Sequence, residues 1–472
     1  MPKDTVAKKS KKSNGKSEPF VIPPVPTKPQ QCHFFVLRKR RYCGLPAKKN
    51  LKYCGEHLTA CADDENAKDL PKRIPCPYDN SHTIFEKDLE NHLKNRCNAR
   101  PRELPKCHSL NVNCTLPLSQ EELDFQKSIF SHQKLHVQPW LARVRLNQLS
   151  KEELESLIDK VSFAYDAHVP LIPMEKLTHS SAEKKRQFIS NTKHLDQLSS
   201  LLGHLEKNEM LKDKTACFTE FGAGKGDLSA FVKRAINEEN GEATYLLIDR
   251  KSVRNKADQA LLGHSENKSR VQRQMIDIKD LVLSKVDCIA DNDKKVVAMS
   301  KHLCGCATDI TLKCLMNYVE HEKSKGQQSE PITGIIIALC CHQICRYEMY
   351  PNQDYLKSIG VSKTDFERLC KMTSWATCKN GRRKPSNEED NMDEDNNHAV
   401  SDDEDNFDET ANHFSGRDAQ EREAIGYKCK RILDAGRVKY LEQFGFDVKL
   451  VYYVDLATSL ENCALIATPK RK

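Results

Sequence analysis

The chain of 472 residues lacks any apolar run approaching the ~20 residues that span a bilayer. Its longest, GIIIALCC at 334–341, has the length of a buried strand. The first residues, MPKDTVAKKSKKSNGK, contain no apolar stretch that would serve as a secretory signal. These two absences lead us to expect a soluble intracellular protein, in the nucleus and/or the cytoplasm, with no membrane partner. In such a reducing compartment the 20 cysteines point to metal ligands or buried thiols rather than to disulfides. Residues 386–410 lack Lys and Arg altogether and hold twelve carboxylates, so the net charge of +8 becomes +20 without them. A basic body of this kind suits a polyanion such as nucleic acid.

Composition divides the chain into segments. Residues 1–30 mix Lys, Ser and Pro with few apolar residues and read as a disordered basic tail, in which KKSKK resembles a nuclear-localisation cluster. Two short Cys/His-dense modules follow at 31–60 and 73–100. A helical connector is expected over 139–212. Within it Ser150 and Glu153 form a capping box ahead of an apolar stripe at Leu154, Leu157, Ile158 and Val161. From 213 to 470 short apolar runs alternate with helical patterns. Strands are expected at 216–221, 243–249, 271–277, 296–300, 332–339, 448–454 and 463–468, with the last two close enough for a hairpin. This is the pattern of a doubly wound α/β domain with a mixed edge. The acidic segment, taken as a disordered insertion over 384–415, falls between the fifth and sixth strands.

In the first module Cys32, Cys43, Cys54 and His57 are spaced C-x10-C-x10-C-x2-H. Three thiolates and an imidazole make a closed tetrahedral zinc set. A module this small cannot bury enough apolar surface unaided, so the metal would supply its folding energy. In the second, Cys76, His82, His92 and Cys97 are spaced C-x5-H-x9-H-x4-C, again four zinc ligands. Phe85, Leu89 and His92 are expected on one helical face, aiming the imidazole inward. Cys61, Cys107 and Cys114 are spare thiols. Both modules carry basic residues, which fits contact with RNA or with protein.

The strand ACFTEF runs into GAGKG and then DLSAFVKRAI. Gly222, Gly224 and Gly226 permit a sharp turn and close backbone approach to a ligand. The third glycine of a G-x-G-x-x-G motif is missing, because Asp227 stands there. Glu220 at the strand end would repel pyrophosphate and attract the ammonium of S-adenosylmethionine. Asp249 ends the second strand, where an acid binds ribose hydroxyls, and Asp277 ends the third, where an adenine amine is read.

In open α/β sheets ligands bind beyond the C-terminal strand ends. Lys301–Cys306 are expected just past the fourth strand, and LCCHQIC, 339–345, just past the fifth. Methyl transfer to an alcohol needs groups that orient the oxygen and take its proton. Lys301, His302 and His342 are the candidates. Asp309 either assists one of them or favours a helix N-terminus. Two other readings stand beside this one. Cys304, Cys306, Cys340, Cys341, His342 and Cys345 could hold a metal, although no pair is spaced C-x2-C. Alternatively, Cys340 or Cys341 could attack a pyrimidine to make 5-methylcytosine covalently. A non-enzymatic RNA-binding protein with a vestigial fold is a third possibility.

QCHFFVLRKRRYCGLPAKKNLKYCGEH resembles the CCCH finger of the eukaryotic tRNA 2′-O-methyltransferases that act on acceptor-stem nucleotide 4. PCPYDNSHTIFEKDLENHLKNRC resembles the CHHC finger that follows it, a type shared with a minor-spliceosome protein. KHLDQLSSLLGHL, TEFGAGKGDLS, MSKHLCGCATD, ALCCHQIC, GYKCKRILDAGR and SLENCALIA are similar to that family's motifs, in the same order. The resemblance covers roughly 31–98 and 190–469. It implies a Rossmann-like class I methyltransferase domain behind two zinc fingers. The implied cofactors are S-adenosylmethionine and structural zinc at two sites, and the implied substrate is tRNA, methylated on a ribose 2′-hydroxyl. It further suggests that Lys428, Lys430, Arg431 and Arg437 contact tRNA phosphates. The family's CHHC finger usually ends H-x3-C, whereas His92 and Cys97 are four residues apart.

Overall fold

The computed structural model describes residues 24–25, 28, 30–36, 41–47, 52–55, 57, 73–78, 82–97, 100, 103–124, 144–188, 192–236, 242–250, 270–290, 294–326, 330–377 and 413–471. The expected basic tail over 1–23, the spare thiol Cys61 and the acidic insertion as far as 412 lie outside them. The described residues fall into two compact units, one ending at 100 and one comprising 103–124 and 144–471. Among them no helix is long and apolar enough to cross a membrane.

The larger unit is built on a seven-stranded sheet: β1 (Cys217–Phe221), β2 (Thr244–Asp249), β3 (Arg270–Met275), β4 (Val296–Cys304), β5 (Ile332–Cys340), β6 (Phe446–Tyr452) and β7 (Cys463–Pro469). Their order is β3-β2-β1-β4-β5-β7-β6. β1 to β5 run parallel, and β7 lies antiparallel to both β5 and β6. All seven expected strands are present, and the expected hairpin is the mixed edge. The order reverses between β1 and β4, which opens a crevice at their carboxyl ends.

Alternate residues of the central strands feed opposite cores. Phe221, Ile248, Ala298, Ile335 and Ile337 share one apolar cluster with Leu312, Leu315 and Val319 of α4 (Cys306–Ser324). Phe218, Tyr245, Leu247, Val297, Met299 and Ile336 face the other way. They pack with Leu198, Leu201 and Leu205 of α2 (Thr192–Lys207) and Leu228 and Val232 of α3 (Asp227–Ala235).

A third cluster joins α1 (Lys151–His168), α5 (Lys363–Met372) and α6 (Ala419–Glu442) through Leu157, Val161, Phe366, Leu369, Ile432 and Leu433. The Ser150–Glu153 capping box starts α1. The stretch read as a connector is therefore part of this body. Ser200 Oγ also donates to the Tyr453 carbonyl at 2.6 Å.

Residues 103–124, for which the sequence carries no recognisable pattern, brace the same unit. Asn113 Nδ2 donates to the carbonyls of Ile278 (2.6 Å) and Leu281 (2.8 Å), and Arg346 Nε donates to Glu122 Oε2 (3.1 Å). Residues 413–415, inside the range read as the acidic insertion, are ordered too: His413 meets the Trp375 ring edge-on at 5.6 Å.

Candidate active site

The turn after β1 has positive φ at Gly222 (64°), Gly224 (48°) and Gly226 (84°). Gly222 has no room for a side chain, since a Cβ there would lie 2.8 Å from the His302 carbonyl oxygen. The glycine turn thus packs directly on the end of β4. Gly224 is the opposite case: nothing lies within 4 Å of its Cβ position, so a ligand can approach the backbone. Asp249 Oδ2 accepts from the Gly224 amide at 2.8 Å. Arg273 Nη1 and Nη2 donate to the carbonyls of Gly224 (2.8 Å) and Lys225 (3.1 Å). Arg273 was not foreseen, because nothing in VQRQMID marks one of its residues as turning back to the loop. Asp277 Oδ1 accepts from the Lys279 amide at 3.1 Å, and Arg250 Nη1 stands 4.0 Å from its other oxygen.

Glu220 lies near the end of β1, as expected, and is tied to the next helix. Its carboxylate is buried and accepts from both the amide and the hydroxyl of Ser229 in α3. Burial pushes its pKa up to about 7, against the pull of the two Ser229 bonds. Through Oε2 it ties β1 to α3.

Lys301 and His302 belong to β4 rather than lying past it. From Ser300 to Leu303 the strand advances three residues while β5 advances two, from Ile337 to Leu339. This is a β-bulge, which re-aims side chains near the end of a strand. Lys301 Nζ lies 2.9 Å from His302 Nε2 and 2.6 Å from Nδ1 of His194 in α2. An ammonium has three donors and no acceptor, so with Lys301 charged both facing imidazole nitrogens are the unprotonated ones. His194 Nε2 then carries the proton and stands 3.9 Å from Asp227. Lys301 is 6% exposed, and burial lowers its pKa to about 8 against the opposing charges of Asp227 and Glu220. The His302 ring remains open to solvent, yet desolvation and the neighbouring Lys301 and His194 lower its pKa. His194 was not singled out in the sequence. Its only signal was a place on the polar side of the KHLDQ helix.

Asp309 and His342 are not brought to this group. Both are fully buried, in one closed ionic network. Asp309 accepts from Arg437 Nε (2.8 Å) and Nη2 (3.1 Å), and Arg437 Nη1 donates to Asp434 (2.8 Å). His342 Nε2 lies 2.8 Å from the same Asp434 oxygen, and Arg431 pairs with the other at 3.0 Å. Burial lowers the pKa of His342 against the opposing pull of Asp434. Burial also acts upward on Asp434, but His342, Arg431 and Arg437 outweigh it and hold the carboxyl well below its usual range. The expectation of phosphate contacts fails for three of the four cations on α6. Lys430, Arg431 and Arg437 are at most 1% exposed, and Lys430 pairs with Glu461 at 2.7 Å. Lys428 lies over the Tyr165 ring.

Of the six residues weighed as a metal set beyond β4 and β5, Cys304, Cys340 and Cys341 converge. Cys340 donates to Cys304 Sγ at 3.6 Å. Cys345 instead accepts from Arg437 Nη2 at 3.1 Å, inside the buried network. Hydrogen bonds among the three push the thiols of Cys340 and Cys341 upward and that of Cys304 down.

The smaller unit carries both Cys/His clusters, and in each the four ligand atoms lie within 4.8 Å of one another. His57 presents Nδ1, at 3.5 Å from Cys32 Sγ and 3.3 Å from Cys54 Sγ, and its ring stacks on Phe34 at 4.0 Å. Among the described residues of this finger the apolar core is the three cysteines with Phe34, Val36 and Tyr53 around them. In the second cluster His92 Nε2 lies 3.1 Å from His82 Nε2 and 3.3 Å from Cys76 Sγ. Phe85 ends a strand (Thr83–Phe85) instead of sharing a helical face with His92. The extra residue of H-x4-C is taken up by a π-turn over His92–Arg96, closed by the Cys97 amide on the His92 carbonyl at 2.7 Å.

Comparison with known proteins agrees with this architecture. Residues 196–468 match the family model described as Methyltransferase TRM13. Residues 30–58 match the CCCH zinc finger in TRM13 protein, and 73–97 match the U11-48K-like CHHC zinc finger. The chain is 32% identical to a human protein and 31% identical to a mouse protein, each named tRNA:m(4)X modification enzyme TRM13 homolog, over 93% of this chain and 94% of each relative. It is 35% identical to the Schizosaccharomyces pombe tRNA:m(4)X modification enzyme TRM13, over 84% of this chain and 95% of that one. No solved structure gives a significant match. With the family model spanning more than half of its length and these relatives covering nearly all of it, the chain belongs to the TRM13 methyltransferase family.

Proposed function

We propose that this protein methylates the ribose 2′-hydroxyl of acceptor-stem nucleotide 4 in tRNA, with S-adenosylmethionine as donor. The observation that carries the reading is the contact between the glycine turn and the Lys301–His302 bulge, with Gly222 pressed on the His302 carbonyl. A donor held on that turn and a nucleophile beside Lys301 would be neighbours. The names of the relatives supply the substrate class and the position. Such a substrate implies work in the nucleus or the cytoplasm.

The residues present fit the donor. Gly224 leaves its backbone open, Asp249 closes the turn beside it, and Asp277 stands at the end of the next strand. Asp249, at the end of β2 beside that turn, would take ribose hydroxyls. When bound, the sulfonium supplies an electrophilic methyl group. Lys301 in its neutral form takes the proton of the 2′-hydroxyl, a role suited to an amine whose pKa is brought near the working pH. His194 and His302 hold that amine in place. Asp309, His342 and Glu220 act at a distance, by fixing α4, α6 and α3. The Cys3His and Cys2His2 sets fit structural zinc, and the basic residues around them fit tRNA.

Incubating tRNA with isotope-labelled cofactor, then digesting to nucleosides and fragments for mass analysis, tests the proposal. The label should appear in one 2′-O-methylated nucleoside from position 4. Label on a base, or no transfer to any tRNA, would defeat it.

A further inference from the structure

Cys304 ends β4, Cys340 ends β5, and Cys341 follows in the left-handed conformation (φ 51°). Two parallel neighbours and the turn after them thus deliver three sulfurs to one point, all within 4.8 Å of one another. The molecule offers its own standard for such a distance. Cysteines of the two fingers stand 4.0 Å apart (Cys43–Cys54) and 3.5 Å apart (Cys76–Cys97), and the Cys304–Cys340 separation of 3.6 Å falls between them. Sulfurs sharing one zinc at ~2.3 Å in tetrahedral geometry are separated by somewhat under 4 Å, whereas a disulfide would need ~2.05 Å. Cys304 and Cys341 are half-buried, so an ion has a path in. The backbone around them is tightly fixed. The Cys341 amide donates to Glu461 Oε1 at 3.0 Å, Glu461 is held by Lys430, and a Cβ at Gly305 would lie 2.7 Å from the Cys341 carbonyl.

We infer that Cys304, Cys340 and Cys341 form a third metal site, a three-thiolate site for zinc that leaves its fourth position to water. Among the described residues no fourth His, Cys, Asp or Glu joins the group. Three protein ligands and an open position distinguish it from the closed fingers. Binding exchanges the thiol protons for the cation and releases them to solvent. The site would pin the end of the bulged strand to β5, next to Lys301 and His302. The inference does not depend on which RNA atom is methylated.

The test is metal content of the full-length chain, produced in zinc-supplemented medium, desalted under reducing conditions and measured by plasma mass spectrometry. We expect about three zinc per chain, falling to about two in Cys304→Ser and likewise in the finger variant Cys32→Ser. Cys306→Ser, two residues away and outside the group, should keep about three. A second readout guards against misfolding of Cys304→Ser. In the wild-type chain, alkylation of Cys304 by iodoacetamide, read by peptide mass, should be several-fold slower with zinc than after chelation and dialysis. About two zinc in the wild type with one lost in Cys32→Ser and none in Cys304→Ser, alkylation indifferent to zinc, or a Cys304–Cys340 disulfide in the reduced preparation would each overturn it.

Discussion

Replacing Arg437 by Met should unfold this protein more easily without loosening its hold on nucleic acid. The guanidinium is 1% exposed and makes two bonds to Asp309 and one to Asp434, both 0% exposed. Met keeps much of the volume and removes the charge. Asp434 retains His342 and Arg431, but Asp309 loses its ionic partner. Breaking a buried pair from one side costs about 3–5 kcal/mol, because the remaining charge is uncompensated. In a unit of this size that lowers Tm by about 6–10 °C, at about 2 °C per kcal/mol. Acid should narrow the difference, since burial already pushes Asp309 toward its neutral form and nothing would then oppose it. Adding Asp309→Asn should recover about half of the loss. Thermal unfolding of the three variants at several pH values reads all of this. The salt dependence of tRNA binding is the counter-test: a phosphate contact would lose about one unit of the log–log slope. An unchanged Tm with a reduced slope would refute the buried-network account.

Three further outcomes follow from the same geometry. With Lys301 as base, kcat/KM for methyl transfer should climb about tenfold per pH unit below its pKa of about 8 and level off above it. Lys301→Met should cost about 100-fold or more and abolish that limb; a limb that survives would exclude Lys301 as the base. Glu220→Gln should raise Tm at pH 8. The folded chain, with this group near 7 instead of 4.5, binds more protons between those values, so stability falls as pH rises through them. The gain is up to about 3 kcal/mol and should vanish toward pH 4.5; an equal Tm at pH 8 would contradict the buried-acid reading. Asp249→Ala should weaken S-adenosylmethionine binding by about 100-fold in calorimetry, with two or more bonds to the carboxylate lost, and an unchanged Kd would remove Asp249 from the cofactor site.

The parts legible in the sequence were those fixed over short distances. The finger ligands declare themselves by spacing, and the strands by apolar runs such as VVAMS and ITGIIIAL bounded by turns. The glycine turn is legible because three positive φ values in five residues favour glycine. Partnerships across the chain were not legible. Arg437 finds Asp309 across 128 positions, and His342 finds Asp434 across 92, so the cations of GYKCKRILDAGR read as phosphate contacts. The bond between Glu220 and Ser229 was not legible for a similar reason, since the two sit one strand–turn–helix apart. The π-turn at His92 and the bulge at Lys301 each hinge on a single extra residue, whose effect depends on what it is paired with.

The bulge has a consequence for which genetic changes this site can bear. A regular strand sends neighbouring side chains to opposite faces, so two adjacent residues cannot ordinarily work together. Here Lys301 and His302 stand opposite the single residue Ala338 and come within 2.9 Å of each other. The chemistry is thus encoded partly in residue count. A one-residue deletion between Ser300 and Leu303 would restore an unbroken ladder only by removing Lys301 or His302 itself, without touching the glycine turn. In a library of variants, a one-residue insertion or deletion in this short stretch should be as damaging as the loss of Lys301 itself.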